Sequence, residues 1–173
     1  MNVRDALPAD APAIAAIYNH YIANTTVSFE EDAVDSDVMA GRIADVQAGA
    51  LPWIVISVGG VPVGYAYATK WRVRHAYRYS VETSVYLDKD AGGQGYGAAL
   101  YEALIARLRA CGCHLAIGGI AQPNPASVAL HQKFGFRKVA HFSEVGFKFG
   151  RWVDVGYWEL KLGDPQNPPC RGA

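Results

Sequence analysis

The stretch that decides the fold reads Ser84-Val85-Tyr86-Leu87-Asp88-Lys89-Asp90-Ala91-Gly92-Gly93-Gln94-Gly95-Tyr96-Gly97. It joins an apolar strand to a loop with four glycines, after which Leu100, Leu104 and Leu108 recur at helical spacing. A helix N-terminus leaves backbone N–H groups without partners, and glycine lets that backbone approach an anion closely. The segment therefore predicts a cradle for a phosphate or pyrophosphate, with a plain strand-to-helix turn as the alternative.

Two common phosphate-binding patterns fit this loop poorly. A nucleoside-triphosphate loop ends in Gly-Lys-Ser/Thr, whereas Gly97 is followed by Ala98 here. Gly93, Gly95 and Ala98 do satisfy the dinucleotide pattern G-x-G-x-x-A. That site needs an acidic residue about 20 positions later to hold the ribose, and positions 103–143 contain no Asp or Glu. A bound NAD is therefore disfavoured.

The rest of the chain predicts a single α+β domain with one mixed sheet. Asp10 and Asn124 are placed to cap helices, and Pro125 suits the first position of the second of these. The Gly59-Gly60 pair predicts a hairpin. The predicted strands lie at 2–6, 53–58, 61–69, 79–87, 114–120, 136–147 and 152–162, and the helices follow Asp10, span 36–48, follow the glycine loop, and run from Pro125 to Phe134.

Two segments together resemble the GNAT superfamily of acetyltransferases. The glycine loop is similar to its acetyl-CoA pyrophosphate motif, Gln/Arg-x-x-Gly-x-Gly/Ala: Gly95 and Gly97 match, and Gly92 replaces the usual Gln or Arg. About 30 residues downstream, a second segment resembles the family pattern N-x-A-S-x-x-L-[YH]-x-x-x-G-F, which lies along the pantetheine arm. It matches through Asn124, Ala126, Ser127, Leu130, Gly135 and Phe136.

Shorter details resemble the phosphinothricin and methionine sulfoximine acetyltransferases within that superfamily. They are Tyr18-Asn19, Asn24-Thr25-Thr26, Gly64-Tyr65-Ala66, Trp71-Arg72, Leu130-His131 and Lys148-Phe149-Gly150-Arg151-Trp152. The resemblance implies a GNAT fold, with one mixed, mostly antiparallel sheet flanked by helices, over residues 1–162. Residues 163–173, with three prolines, are expected to form a flexible tail.

The resemblance also implies which residues bind acetyl-CoA. Backbone amides do most of the phosphate binding in this family. The expected contacts are Val85, Tyr86, Leu87, Gly92, Gly93, Gln94, Gly95, Tyr96, Gly97, Ala98, Asn124 and Ser127.

Two side chains are candidates for catalysis. Glu82 is a carboxylate within an otherwise apolar strand, and burial raises a carboxylate pKa toward the range that suits a general base. The resemblance places it beside the acceptor amine, acting through a water; an outward-facing strand residue is the alternative. His131 occupies the position where many relatives carry a tyrosine near the CoA sulfur. It is expected to assist amine deprotonation or protonate the thiolate, or else merely to pack.

A basic segment follows one of the central strands. Guanidinium groups suit bidentate carboxylate binding, so Arg72 and Arg74, with Val73 between them, are candidate substrate contacts. Lys148 is a further candidate. A solvated basic loop is the alternative for each of these residues.

Composition limits the other functions. Sixteen basic residues balance sixteen acidic ones, which removes a global electrostatic reason for nucleic-acid binding. The chain has no apolar run long enough to span a membrane and no signal-peptide core, and its three cysteines suggest reduced thiols. We expect a cytoplasmic protein without a metal site, and the resemblance implies a homodimer.

These observations predict an acetyl-CoA-dependent N-acetyltransferase that acts on the α-amine of a small amino-acid analogue by direct attack on the thioester. A GNAT enzyme for another amine, such as a polyamine, an aminoglycoside or a protein N-terminus, is one alternative. A non-catalytic acetyl-CoA sensor is another, although Glu82 and His131 argue against it.

Overall fold

A computed structural model of the chain describes residues 1–164. The predicted α+β architecture is confirmed, and the observed bounds lie within a few residues of the predicted ones. The elements are β1 (Asn2–Asp5), α1 (Ala11–Asn24), α2 (Ser36–Ala48), β2 (Trp53–Val58), β3 (Val61–Lys70), β4 (Ser80–Leu87), α3 (Tyr96–Ala110), β5 (Leu115–Ala121), α4 (Pro125–Lys133), β6 (Arg137–Lys148) and β7 (Arg151–Lys161).

The strands form one mixed sheet in the order β1-β2-β3-β4-β5-β7-β6. Within the part of the chain that the structure describes, β4 and β5 are the one parallel pair. This pairing covers only Ser80–Glu82 against Leu115–Ile117. Beyond it the two strands separate, although both continue for several residues. The sheet therefore has a gap at its centre.

Helices cover both faces of the sheet and bury a core on each. Leu100, Leu104 and Leu108 of α3 are fully buried against one face. Ile14 of α1 and Met39 of α2 are buried against the other, together with the inward residues of β2 and β3. Successive strand residues point to opposite faces, so β2 and β3 contribute to both cores.

Of the two predicted helix caps, one is confirmed and the other is wrong. Asn124 caps α4 as predicted, because its Oδ1 accepts a hydrogen bond from the Ser127 amide at 3.1 Å. The prediction that Asp10 caps α1 is wrong. Its carboxylate accepts hydrogen bonds from Arg4 and from the Leu7 amide, so it faces back along the chain and leaves the first turn of α1 without a side-chain cap.

The last strand ends at Lys161, next to the predicted domain boundary at 162. Of the predicted tail, 163–173, the residues from 165 onward lie outside the described part of the chain. No described helix is long and apolar enough to cross a membrane.

Candidate active site

A cavity of about 600 Å³ lies beyond the carboxyl end of β4, between the glycine loop and α4. A smaller pocket occupies the gap where β4 and β5 separate. The cavity and the pocket share the lining residues Val27, Val85, Asn124 and Ser127. Together they form one continuous depression, here called the groove, that leads from the glycine loop into the sheet.

The glycine loop forms one end of the groove. Gly93 and Gly95 have φ angles of +73° and +80°, a left-handed conformation that other residues adopt only at a cost. Gly95 directly precedes α3, and no side chain caps this helix. A Cβ at Gly92, Gly93 or Gly95 would meet no protein atom within 4 Å. The loop therefore presents open backbone and the unpaired N–H groups of a helix N-terminus, which is how proteins hold phosphate oxygens.

The groove brings together the predicted cofactor residues with one exception. Gln94 lines neither the large cavity nor the gap, but a neighbouring pocket with Val58 and Val63. Tyr86 lines the gap, while its ring packs edge-on against other tyrosines of the α1 face. The others all line the large cavity: Val85, Leu87, Gly92, Gly93, Gly95, Tyr96, Gly97, Ala98, Asn124 and Ser127.

Glu82 lies at the gap, on the face that carries α1 and α2. An ideal Cβ at Gly119 would lie 3.0 Å from Glu82 Oε1 and 3.1 Å from Tyr157 Cε1, so the carboxylate and the phenol ring lie side by side over this glycine. Glu82 is half-buried, and no hydrogen bond to its carboxylate is formed within residues 1–164. Burial raises the pKa of Glu82 above its ordinary value, and the charge of Arg72 opposes this effect.

All three residues of the basic segment 72–74 are exposed, and Arg72 in addition contacts a residue of the site. The Arg72 guanidinium stacks on the Trp71 ring at 4.3 Å, and Trp71 contacts Tyr157 edge-on at 5.8 Å between ring centroids. Arg72 therefore lies next to the carboxylate–phenol pair. Val73 is 99% exposed, and Arg74 is also exposed.

His131 is buried on the opposite face, with 3% of its surface exposed. Its Nδ1 lies 2.8 Å from the Ser127 carbonyl oxygen, which only accepts, so Nδ1 carries the proton. Its Nε2 lies 2.7 Å from the Tyr101 hydroxyl and accepts from it. Burial lowers the pKa of His131, and the Ser127 hydrogen bond partly opposes this. The ring is therefore neutral near pH 7, with both nitrogens engaged.

Lys148 does not lie with the other predicted substrate contacts. Its side chain is 1% exposed, and its ammonium donates to the carbonyl oxygens of Ile22 at 2.8 Å and Ser28 at 2.7 Å. The prediction that it binds the substrate is wrong in this structure, because its donors are directed to the protein backbone.

Several groove residues carry no recognisable signal in the sequence. Val27 reaches the groove from the segment between α1 and α2, and Tyr101 reaches His131 from the buried face of α3. Lys133 lines the large cavity from the last turn of α4, where it adds a positive charge near the predicted phosphates. Residues 1–164 contain no group of three or more His, Cys, Asp or Glu side chains that could hold a metal ion.

Comparison of the sequence with known proteins identifies the family. The sequence model of the acetyltransferase (GNAT) family matches residues 14–136. The chain is 43% identical to a phosphinothricin N-acetyltransferase of Alcaligenes faecalis, over 92% of this chain and 82% of that protein. It is 39% identical to an L-methionine sulfoximine/L-methionine sulfone acetyltransferase of Salmonella typhimurium, over 97% of this chain and 98% of that protein.

A solved structure agrees with the sequence comparison. The crystal structure of a GNAT superfamily phosphinothricin acetyltransferase from Sinorhizobium meliloti, in complex with acetyl-CoA, superposes with a TM-score of 0.94 at 36% identity, covering 99% of this chain and 94% of that one. The fold, the glycine loop and the full-length similarity lead to one assignment. The chain belongs to the GNAT family of acetyltransferases, in the group that includes the phosphinothricin and methionine sulfoximine N-acetyltransferases.

Proposed function

We propose that this enzyme transfers the acetyl group of acetyl-CoA to the α-amine of a small amino-acid analogue of the phosphinothricin, methionine sulfoximine or methionine sulfone type. The observation that carries the proposal is the position of Glu82, a half-buried carboxylate next to Gly119, which lines the gap. Glu82 has no hydrogen-bond partner among the described residues. The acceptors named for the relatives support this substrate class. An enzyme that consumes acetyl-CoA is expected in the cytoplasm.

The lining of the groove suits the chemistry of acetyl-CoA. Its open end offers the backbone N–H groups of the glycine loop and of α3 to a pyrophosphate. The walls formed by Val85, Leu87 and Leu130 are apolar and suit a pantetheine arm. The arm would end in the gap between β4 and β5, and there the thioester would come within reach of the α1/α2 face.

Glu82 would act as the general base for the acceptor. An α-ammonium group must lose a proton before its lone pair can attack, and Glu82 would accept this proton through a water. The amine then attacks the thioester carbonyl carbon, the new C–N bond forms, and the C–S bond breaks. The sulfur leaves as a thiolate and takes up the second proton, which the nitrogen loses as the amide forms, while the proton accepted by Glu82 passes to the solvent. A raised pKa makes the carboxylate a better base at neutral pH.

We assign His131 a supporting role in this reaction. It lies on the other face from Glu82, is neutral, and has both ring nitrogens in hydrogen bonds. These features argue against amine deprotonation by His131. They support a role in fixing the floor of the gap, where His131 lies among the residues that line it.

Arg72 is the best-placed group for the acceptor's carboxylate. Its guanidinium is held on Trp71, beside Tyr157 and Glu82, and its planar fork suits a carboxylate. An acceptor bound there would have its α-amine close to the proposed base. Arg74 and Val73 would contact the acceptor only from the solvent side.

A panel assay tests this function. Thiol release from acetyl-CoA is measured with phosphinothricin, methionine sulfoximine, methionine sulfone, spermidine, an aminoglycoside and an N-terminal peptide as acceptors. We expect turnover with at least one of the three amino-acid analogues and a lower kcat/KM for the polycations. Turnover confined to a polycation or a peptide would overturn the acceptor class, and acetyl-CoA binding without turnover of any amine would indicate a sensor.

We also propose that the enzyme is a homodimer. The β6–β7 hairpin exposes large apolar side chains, including Phe147 and Trp152, whose rings contact each other at 5.0 Å. Exposed apolar surface of this kind commonly marks an interface between proteins. The family resemblance favours a second copy of the chain as the partner.

A further inference from the structure

The segment that connects α1 to α2, residues 25–35, lies over the Glu82 face of the sheet. Thr69 pairs with Glu82 and Tyr67 with Ser84, so these residues share the face on which α1 and α2 pack. Within the connection, Val27 lines both the large cavity and the gap. The position of this segment therefore helps to set the shape of the groove beside the proposed acceptor site.

Side chains of α1 and α2 hold Glu30 and Val34 of the connection. The Asn19 side chain donates to the Val34 carbonyl and accepts from the Val34 amide, both at 2.8 Å. Arg42 forms two hydrogen bonds with the Glu30 carboxylate, at 2.7 and 3.0 Å. These contacts come from α1 and α2, the helices that the segment joins. The Tyr18 hydroxyl of α1 also lies 2.8 Å from Ser28 Oγ and donates to Glu30 at 2.9 Å.

Lys148, the last residue of β6, links the connection to the sheet at Ser28. The Lys148 ammonium bridges the carbonyl of Ile22, in α1, and that of Ser28, in the connection. Beside it, the Phe29 ring packs on Gly146 so closely that a Cβ there would lie 2.3 Å from the ring. Charge-assisted hydrogen bonds are stronger than neutral ones, and here they are shielded from water. Burial lowers the pKa of Lys148, while Glu31 and Glu30 oppose this effect.

We propose that Lys148 is a positioning residue, which holds residues 27–30 against β6 and so keeps the connection closed over the acceptor side of the groove. The expected effect of Lys148 on kinetics rests on the function proposed above. The expected effect of Lys148 on the mobility of the connection does not rest on that function, and it can be measured without turnover.

The test compares the full-length wild type with Lys148→Met, which keeps the apolar stem and removes the ammonium. Lys138→Met is the matched control, since Lys138 is an exposed lysine on the same strand. Hydrogen–deuterium exchange is measured without ligands, and steady-state kinetics are measured for acceptor and acetyl-CoA. In Lys148→Met we expect exchange at residues 25–31 to rise roughly tenfold, because two buried charge-assisted bonds are lost. The acceptor KM should rise by a similar factor while the acetyl-CoA KM stays within about twofold.

Three results would overturn the proposal: unchanged exchange at residues 25–31, increased exchange spread evenly over the domain, or an equal rise in both KM values. The last two would mean a purely structural role. If Lys148→Met does not fold, Lys148→Gln serves instead, because it keeps a polar side chain and removes the buried ammonium that bridges Ile22 and Ser28. If the wild type acetylates no amine, the proposed function fails, and the exchange measurement still decides the role of Lys148.

Discussion

Glu82 and His131 lie on opposite faces of the sheet, each against one of two consecutive glycines of β5. A Cβ at Gly118 would lie 2.3 Å from His131 Nε2, and a Cβ at Gly119 would lie 3.0 Å from Glu82 Oε1. Successive strand residues point to opposite sides, so β5 separates the two candidate catalytic groups. This separation is why we assign the base to Glu82 alone.

The two glycines should respond differently to alanine. In Gly118→Ala the ring of His131 must move, although Tyr101 and Ser127 hold it, and we expect a loss of about 1–3 kcal/mol in the free energy of unfolding. In Gly119→Ala the methyl group crowds Glu82 and Tyr157, and we expect kcat/KM to fall roughly 10- to 100-fold with a smaller loss of stability. Urea unfolding and steady-state kinetics of both variants check this. The reverse pattern would contradict the placement of the two groups.

The pH dependence of kcat/KM should report the ionisation of Glu82. The base must be deprotonated, so the rate should rise with pH through a pKa that lies above the ordinary glutamate value. The positive charge of Arg72 stabilises the carboxylate anion, so its removal in Arg72→Gln should shift the acid limb to higher pH. Arg109→Gln removes an exposed arginine of α3 and is the control. If the acid limb of the kcat/KM profile lies at the same pH in Arg72→Gln as in the wild type, a group other than Glu82 controls it.

The glycine loop offers a gain-of-affinity test. Gly92 stands where the family motif has Gln or Arg, and a Cβ there meets no protein atom within 4 Å. We expect Gly92→Arg to bind acetyl-CoA several-fold more tightly in a salt-dependent way, because it adds a charge near the phosphates. Gly95→Ala should weaken binding, since its φ of +80° strains an alanine by about 1–2 kcal/mol. Titration calorimetry at two salt concentrations measures both; equal affinities would argue against this cradle.

The oligomeric state can be tested at the β6–β7 hairpin. Trp152 is 61% exposed, and we expect Trp152→Glu to convert a dimer into a monomer, because a buried charge at an apolar interface is costly. Val61→Glu, at an exposed position on β3, is the control. Light scattering after size-exclusion chromatography gives the mass. A wild type that is monomeric at micromolar concentration would rule out a stable dimer.

The sequence was most informative where function depends on local backbone structure. The glycine loop, the start of α3 and the Asn124 cap all follow from residue types at short spacing, and the structure confirms the loop-to-helix arrangement and the cap. The groove lies where these segments meet, and most of the predicted cofactor residues line it.

The sequence was least informative where a polar group depends on distant partners. The sequence suggests that Lys148 contacts an anion, yet its partners lie more than a hundred residues away and leave no trace in the sequence around it. Asp10 sits at a helix start, but Arg4 and the Leu7 amide compete for its carboxylate. The Tyr101–His131 pair likewise exists only because the fold brings together one residue of α3 and one of α4 that are 30 positions apart in the chain.

The most direct test of the central claim is the kcat/KM of Glu82→Gln with the best acceptor, measured beside Glu102→Gln, an exposed carboxylate on α3. If Glu82 is the base, kcat/KM should fall by about 100-fold or more in Glu82→Gln. Acetyl-CoA affinity and the free energy of unfolding should be preserved, and Glu102→Gln should match the wild type. A Glu82→Gln enzyme within a fewfold of wild-type activity, with the same pH profile, would contradict the account.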